Sequence, residues 1–261
     1  MNDAATVAIT GVGLWLPGFP NTAAWLAGTA DAAAAKPVGT ALDRVNRRRA
    51  SSLDRALADT VAAAIAMAGA DATTVPIVIG SSIGEAATMI GLLDELWRHG
   101  TPMSPADFTM SVHNAASGLI SITNKNRGMT TSVAADHDTP AAALFEGIGL
   151  AITHAGPVVV ACGDEPAPAT LVQHAPPWSM VTAAVVLAPF DAARPHLARL
   201  TLGTDAPATL ALDRFEPLQR ENPQIGLLAV VDAVLRGTAG VLPLDNGKGR
   251  GYRAAIAPAP R

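Results

Sequence analysis

The chain has 261 residues, of which 49% are hydrophobic and 15% are charged. This length and composition predict one large domain or two small ones around a real hydrophobic core, and they exclude a chain that is disordered through high charge and low hydrophobicity. The net charge of −4 provides no broad basic surface, so we do not expect nucleic acid as a partner.

The single cysteine and the N-terminal residues indicate the compartment. Cys162 cannot form an internal disulfide, and one thiol cannot build a structural metal site, so a reducing cytoplasm is expected. Asp3 stands where a signal peptide would carry Lys or Arg, and glycines and prolines interrupt the apolar stretch that follows. No uninterrupted apolar run reaches the roughly 18 residues of a membrane span. We expect a cytoplasmic protein without a membrane span.

The first hundred or so residues predict an alternation of strands and helices. The β-branched run at residues 6–10 ends at a glycine and predicts a buried strand. Residues 51–68 place apolar side chains at three- and four-residue steps, with serine before the first turn and glycine after the last, so they predict a helix. A second buried strand is expected at residues 75–80 and a helix at residues 85–98.

The middle of the chain continues the pattern. Residues 106–124 predict one helix of small side chains, which would be buried and would let another backbone approach closely. Residues 130–135 predict a central strand, followed by a helix that opens at Asp138-Thr139-Pro140. After a strand at residues 158–162, we expect residues 181–188 and 197–202 to form an antiparallel pair. This alternation predicts an α/β sheet covered on both faces.

The strand, turn and helix at residues 131–140 have the geometry of a nucleophile elbow, yet no Ser or Cys stands at the turn. Two interpretations remain open. His137, flanked by Asp136 and Asp138, could act as an acid or base. The favoured alternative is a filled pocket in which Asp138 or Thr139 caps the helix.

The other polar motifs carry weaker signals. The segment GSSIGE at residues 80–85 lacks the spacing of a phosphate loop. Cys162 ends a run of valines and is expected to be a buried, inert thiol. Asp164 and Glu165 follow that strand and are expected to cap a loop. The six histidines have no metal-ligand spacing, so we expect no metal.

Several segments together resemble β-ketoacyl synthases. VAITGVGLWLPG and IGSSIGE are similar to two glycine-containing strand ends of that family, and VVVACGDE is similar to a later strand that ends in an acid. The strongest similarity lies in SPADFTMSVHNAASGLISITNKNRG, which aligns without a gap. The segment TTSVAADHD then aligns with the strand and elbow that carry the active-site cysteine, with His137 at or within two residues of it.

The resemblance covers residues 5–203 and implies an α/β, thiolase-like fold. Residues 1–212 would form one full half of that fold, a layered α/β/α unit with a mixed sheet. Residues 213–261 would form a truncated remnant of the second half, with a helix and a strand packed on the same domain. The elbow cysteine is replaced at or near His137, and neither histidine motif of the second half is present. Condensation by this chain alone is therefore not expected.

By resemblance, the chain looks like the short chain-length-factor proteins of bacterial aryl polyene and related type II polyketide or fatty acid systems. That similarity implies that the chain forms a heterodimer with a catalytic ketosynthase and contacts an acyl carrier protein. It also implies that the chain binds no cofactor and helps to set the product length. The residues implied as lining the substrate tunnel are Ile83, Asp107, Phe108 and Val112. Those implied at the dimer interface are Met110, His113, Asn114, Ser117, Gly118, Thr131, Ser132 and Val133.

Arg47, Arg48 and Arg49 form the main concentration of charge. They are either a solvated helix start or a docking patch for an acidic partner, which the resemblance identifies as the carrier protein. Two other functions stay open for the chain as a whole. One is a homodimeric module that binds the carrier protein, and the other is a thioester hydrolase or decarboxylase that uses His137 with Asp136 or Asp138.

Overall fold

A computed structural model describes residues 6–171, 177–203 and 206–260. Its strands form one eight-stranded mixed sheet in the order β3-β2-β4-β5-β1-β6-β8-β7. Strands β2, β3 and β4 run parallel to one another, and the remaining neighbours pair antiparallel. The strands are β1 Thr6–Trp15, β2 Ile77–Gly80, β3 Thr130–Val133, β4 Val158–Asp164, β5 Val181–Pro189, β6 Ala198–Gly203, β7 Gly240–Pro243 and β8 Arg253–Pro258.

The helices cover both faces of this sheet. Helices α3 and α6 pack on one face, and α1, α7 and α9 pack on the other. The mixed α/β architecture expected from the sequence is confirmed. The helices are α1 Thr22–Ala27, α2 Arg44–Arg49, α3 Ser52–Ala68, α4 Ala86–Asp94, α5 Pro105–Phe108, α6 Ala115–Asn124, α7 Thr139–His154, α8 Pro217–Arg220 and α9 Ile225–Arg236.

Helix α3 forms as its sequence predicts. Ser51 caps it and forms a reciprocal capping box with Asp54, and Gly69 ends it in the left-handed conformation. Its apolar face lies directly on β1, because Gly11 has no side chain. A Cβ atom at that position would collide with the backbone of Ala64. The sequence pattern therefore predicts both the helix and its buried face, and Gly11 allows α3 to lie close to β1.

The single helix expected at residues 106–124 is wrong. Helix α5 ends at Phe108, and α6 begins only at Ala115. Between them the hydroxyls of Thr109 and Ser111 donate to backbone carbonyls three residues earlier, an alternative to the helical ladder. The ring of His113 contacts the carbonyl oxygen of Ser81 at 2.7 Å, which draws the segment toward the loop after β2.

The central position expected for residues 130–135 is also wrong. Strand β3 lies at the edge of the sheet, pairs only with β2 and ends at Val133. The backbone leaves the strand there because the Ala135 N–H donates to the hydroxyl of Thr139 at 3.0 Å. Strands β5 and β6 do not pair with each other, since the long β1 lies between them and pairs with both.

Residues 213–260 continue the sheet. Strand β8 pairs with β6, and β7 follows as the last strand. Helix α9 is apolar and buried on nearly every side, and Gly226 lets it touch the backbone of Leu244. The domain division at residue 212 stays a prediction. In the part of the chain that the structure describes, no helix is long and apolar enough to cross a membrane.

Candidate functional site

The elbow after β3 is built around a strained backbone. The backbone of Asp136 has a φ of 50°, a value that residues other than glycine rarely adopt outside turns. The carboxylate of Asp136 is exposed. A short 3₁₀ turn, Asp136–Asp138, leads into α7. The turn is held by Thr139, whose buried hydroxyl donates to the Asp136 carbonyl at 2.7 Å. The apex of the elbow therefore lies one residue before His137.

The predicted cap at Asp138 takes a different form. Asp138 occupies the N-cap position of α7, but its side chain makes no capping hydrogen bond to the helix. Instead its carboxylate accepts the backbone N–H of Arg250 at 2.8 Å. Residue Gly249 packs so closely that a Cβ would collide with Asp138 and Asp245. The loop between β7 and β8 thus lies directly against the elbow.

A buried carboxylate lies beneath the elbow. Asp164 is fully buried at the end of β4, where its side chain caps the loop after β2. It accepts the Ser81 hydroxyl at 2.5 Å and the Ser82 N–H at 3.0 Å. Burial raises the pKa of Asp164, and these hydrogen bonds oppose that rise.

Gln224, at the start of α9, connects this carboxylate to the elbow. Its amide nitrogen donates to Asp164 at 2.6 Å and to the Ser82 hydroxyl at 2.9 Å. The Ser82 hydroxyl in turn donates to the carbonyl of Asp136 at 2.7 Å. Asn222 completes the connection by donating to the backbone carbonyls of Asp164 and Ser179. Side chains from three separate segments therefore fill the space under the turn.

The elbow has no activated nucleophile among the described residues. The side chain of His137 is 17% exposed, its Nδ1 is buried without a hydrogen-bond partner, and its Nε2 lies 3.9 Å from Asp136. No Ser, Thr or Cys side chain is hydrogen-bonded to this ring, although such a pair is the geometric signature of nucleophilic catalysis. Cys162 is fully buried inside β4, where burial raises the pKa of its thiol.

The four predicted tunnel residues differ in exposure and in what they contact. Ile83 is half-buried after β2, and its N–H reaches Asp164 at 3.3 Å. Val112 is half-buried next to His113, which packs against Gly84. Phe108 is 52% exposed. Asp107 is exposed and borders a cavity of 410 Å³ between α2, α4 and α5.

The predicted interface residues group around β3 and the start of α6. Ser117 is buried, and its hydroxyl lies 3.4 Å from that of Ser132 on β3. Gly118 faces open space. The remaining members, apart from the exposed Asn114, are half-buried: Met110, His113, Thr131 and Val133.

The three arginines of the predicted basic patch make different contacts. Arg47 donates to the Leu42 carbonyl at 2.9 Å, and Arg49 reaches the Thr109 hydroxyl at 3.3 Å. Arg48 is exposed on α2 and lines the 410 Å³ cavity. Of the three, Arg48 is the side chain whose charge is directed to solvent and not to a bond within the described chain.

The larger cavity lies elsewhere. It measures 760 Å³ at the opposite end of the sheet, bordered by the C-terminal ends of α3 and α7 and by residues 188–197. None of the predicted site residues lines it. Within residues 6–171, 177–203 and 206–260, no group of three His, Cys, Asp or Glu side chains is placed to hold a metal ion.

Sequence reasoning missed Ser82, Asn222 and Gln224. Ser82 lies in the GSSIGE segment, which resembles a phosphate loop only superficially. Asn222 and Gln224 precede a long apolar helix, and their burial is a property of the fold that the sequence pattern does not show. Their partner Asp164 is about sixty positions away in the sequence, so the pattern alone could not identify what they bind.

We compared the chain with known proteins to find similar folds. Among solved structures, the chain is similar to one from the ketosynthase (ApeO) in complex with its chain length factor (ApeC) from Xenorhabdus doucetiae, with a TM-score of 0.69, 23% identity and coverage of 97% of this chain and 99% of that one. It is also similar to the ishigamide ketosynthase/chain length factor, with a TM-score of 0.60, 18% identity and coverage of 77% and 68%.

A third similar structure is AntDE:AntF, a type II polyketide acyl carrier protein in complex with its ketosynthase bound to the hexaketide. The TM-score is 0.61, with 16% identity and coverage of 77% of this chain and 69% of that chain. A comparison with curated protein sequences gives no match. The structural similarities confirm the thiolase-like ketosynthase fold. The family model described as β-ketoacyl synthase, N-terminal domain, matches residues 23–243. The chain therefore belongs to the β-ketoacyl synthase N-terminal domain family.

Proposed function

We propose that this chain is a chain length factor, a non-catalytic subunit that pairs with a catalytic ketosynthase and shapes the tunnel for the growing acyl chain. Aryl polyene biosynthesis, or a related type II polyketide or fatty acid pathway in the cytoplasm, is the context proposed from the sequence resemblance. The observation that carries the proposal is the elbow itself, which keeps its strained turn but holds no nucleophile among the described residues.

The packing beneath the elbow supports a structural role. A condensing enzyme needs a thiolate and an open space beside it for the thioester. Here Ser82, Asp164 and Gln224 are hydrogen-bonded to one another under the turn. Removing one member would leave the others buried and unpaired, so the network stabilises the turn. Such an arrangement preserves the shape of an active site without its reaction.

The open edge at β3 supports a partner subunit. The carbonyls of Met129 and Val133 accept N–H groups of residues 77 and 81, so these residues face β2. By alternation, the backbone N–H and C=O groups of Thr130 and Ser132 point away from the sheet. An exposed edge of this kind is a template for another strand. We assign the strand of a ketosynthase partner to it.

The surface beside this edge is suited to close contact. Ile122 on α6 is 67% exposed, and Met129 before β3 is 47% exposed. Gly118 leaves an open space on α6 that a partner side chain could enter. Apolar side chains around an unpaired strand are typical of an interface core.

The predicted tunnel residues gain a wall only in such a complex. Phe108 and Ile83 would be covered by the partner, so that their bulk limits the length of the acyl chain. Asp107 is exposed and would mark the polar end of that wall. The free guanidinium of Arg48 would be the carrier-protein contact, although the catalytic partner could make that contact alone.

Co-expression with the ketosynthase encoded nearest to this chain tests the proposal. We expect a one-to-one complex by size-exclusion chromatography with mass determination, and elongation of a carrier-bound acyl chain only when both chains are present. Separate elution with unchanged ketosynthase activity would contradict the proposal. A stable homodimer that ignores the ketosynthase would favour the homodimeric carrier-binding module instead. Thioester turnover by this chain alone, lost in His137→Ala, would favour the hydrolase or decarboxylase.

A further inference from the structure

Four acidic side chains lie buried along the boundary between α3, α4 and the end of β4. They are Asp54, Glu85, Asp164 and Glu165, and each is less than a tenth exposed. Asp164 belongs to the network under the elbow. Glu85 and Asp54 have no part in that network, and they contact each other across the start of two helices.

The contacts of Glu85 join the two helix starts. The Ser51 hydroxyl, which caps α3, donates to one carboxyl oxygen of Glu85 at 3.0 Å. The Thr88 hydroxyl in the first turn of α4 donates to the other oxygen at 3.3 Å. Ser51 and Thr88 also border the 410 Å³ cavity that Asp107 lines. Glu85 therefore lies behind one wall of that cavity.

The Oδ1 atom of Asp54 lacks a hydrogen-bond donor among the described residues, and this indicates where a proton is needed. Its Oδ2 accepts the N–H of Ser51 at 3.1 Å, whereas its Oδ1 is buried and receives no N–H or hydroxyl hydrogen from the described chain. A buried carboxylate oxygen without a donor is costly. The carboxyl group of Glu85 lies within hydrogen-bonding reach of Asp54 and supplies a donor only if it carries a proton.

The surrounding charges agree with a proton at this position. From β4, Glu165 adds negative charge to the site, with Asp164 beside it. From α3, Arg55 is the cation near Asp54, but its guanidinium donates to the carbonyl of Arg47. Burial and the neighbouring Asp54 carboxylate raise the pKa of Glu85 to about 9.

We propose that Glu85 is protonated in the folded protein and donates a hydrogen bond to the Asp54 carboxylate, so that one proton holds the start of α4 against the N-cap of α3. Loss of this proton in alkaline solution places two carboxylates side by side in the interior and separates the two helix starts. The wall of the cavity next to Asp107 then opens. This device does not depend on the identity of the partner subunit.

The direction of the pH dependence follows from linkage. The folded state keeps the Glu85 proton up to about pH 9, whereas the unfolded chain releases it near the ordinary value of 4.5. The contribution of Glu85 to stability is therefore fully present below the unfolded pKa and is lost as pH rises toward the folded one. Between those limits, folding takes up about one proton at this site.

Carbon-13 NMR of glutamate-labelled protein tests the proposal directly. At pH 7 we expect one carboxyl signal at the position of a neutral acid, absent from Glu85→Gln, that titrates several units above the others. In pH-dependent unfolding by denaturant, Glu85→Gln should release about one proton fewer than the wild type between pH 5 and 8. Glu95→Gln, which changes an exposed glutamate just after α4, should leave the wild-type slope unchanged.

Two results would overturn the assignment. The first is a Glu85 signal that titrates with the exposed glutamates, and the second is an unfolding slope that is equal in the wild type and in Glu85→Gln. If Glu85→Gln does not fold, Asp54→Asn gives the answer in the labelled protein. Removing the neighbouring charge should lower the Glu85 titration midpoint, and an unmoved midpoint would contradict the shared proton.

Discussion

The two edges of the sheet are finished differently. At one edge, β7 is covered by Thr209 and Leu210, whose N–H groups both donate to the carbonyl of Val241, and β7 ends at Pro243. At the other edge, β3 has no strand beside it in the described chain. Capping and proline are the usual ways in which proteins prevent edge pairing. Under the proposed function, β3 would be kept open for the partner subunit, and β7 would be closed against one.

The strongest test of this contrast places proline on the open edge. Ser132→Pro removes an N–H that points away from β2, so the ladder between β2 and β3 stays intact. We expect binding to the ketosynthase partner to weaken by at least about tenfold, from a lost hydrogen bond and the bulk of the ring. Titration calorimetry or biolayer interferometry measures the loss.

The thermal unfolding of Ser132→Pro serves as the control. A melting temperature near that of the wild type, together with wild-type partner affinity, would show that the partner does not use this edge. The comparison would then have to be explained by another surface.

A second test separates stability from binding on α6. Gly118 faces open space, so Gly118→Leu should raise the free energy of unfolding by about 0.5–1 kcal/mol through helix propensity. The same leucine would fill the space beside β3 that we assign to the partner, and it should weaken the complex. Denaturant titration and a binding assay measure the two opposite effects.

Gly149 on α7 provides a matched control, because it also lies in a helix and faces open space. Gly149→Leu should give the same gain in stability, and binding should stay as in the wild type. Equal loss of binding in both variants would remove α6 from the proposed interface.

A third test concerns the tunnel wall beside the open edge. Phe108 is more than half exposed in the single chain, and in the complex we expect it to limit the acyl chain. Phe108→Ala should lengthen the products of the reconstituted complex and leave the amount of complex unchanged, because truncation enlarges the proposed tunnel. Mass spectrometry of the carrier-bound products measures the length distribution. An unchanged distribution would exclude Phe108 as the limiting residue.

The sequence predicted the individual helices and strands better than it predicted which of them lie side by side. Helix α3 was predictable because its apolar period, its serine cap and its terminal glycine are all local signals. The edge position of β3 was not, since a short run of Thr and Ser does not reveal how many strands lie beside it. The break before Ala115 depends on hydroxyl groups that bond to the backbone, which an apolar pattern does not register.

The candidate site shows the same limit. The elbow and the missing nucleophile were visible in the sequence, because a strand, a turn and a helix start with proline in its first turn follow one another directly. The support under the elbow was not visible, since Gln224 and Asp164 meet only through tertiary packing. The sequence indicated that Asp164 caps a loop, but it did not reveal that this carboxylate is fully enclosed.

The smallest expected effect comes from opening the closed edge. The Thr209 hydroxyl accepts the Val241 N–H at 2.9 Å, and Thr209→Val removes that acceptor while keeping the shape of the side chain. We expect a loss of about 0.5 kcal/mol in the free energy of unfolding, at the low end for a hydrogen bond, since the exposed N–H can bond to water instead. Because two backbone bonds still cover β7, partner binding at β3 should be unchanged, and self-association by analytical ultracentrifugation should rise only slightly. A large rise in self-association would mean that this one hydroxyl keeps β7 closed, and that the two edges differ by a single side chain.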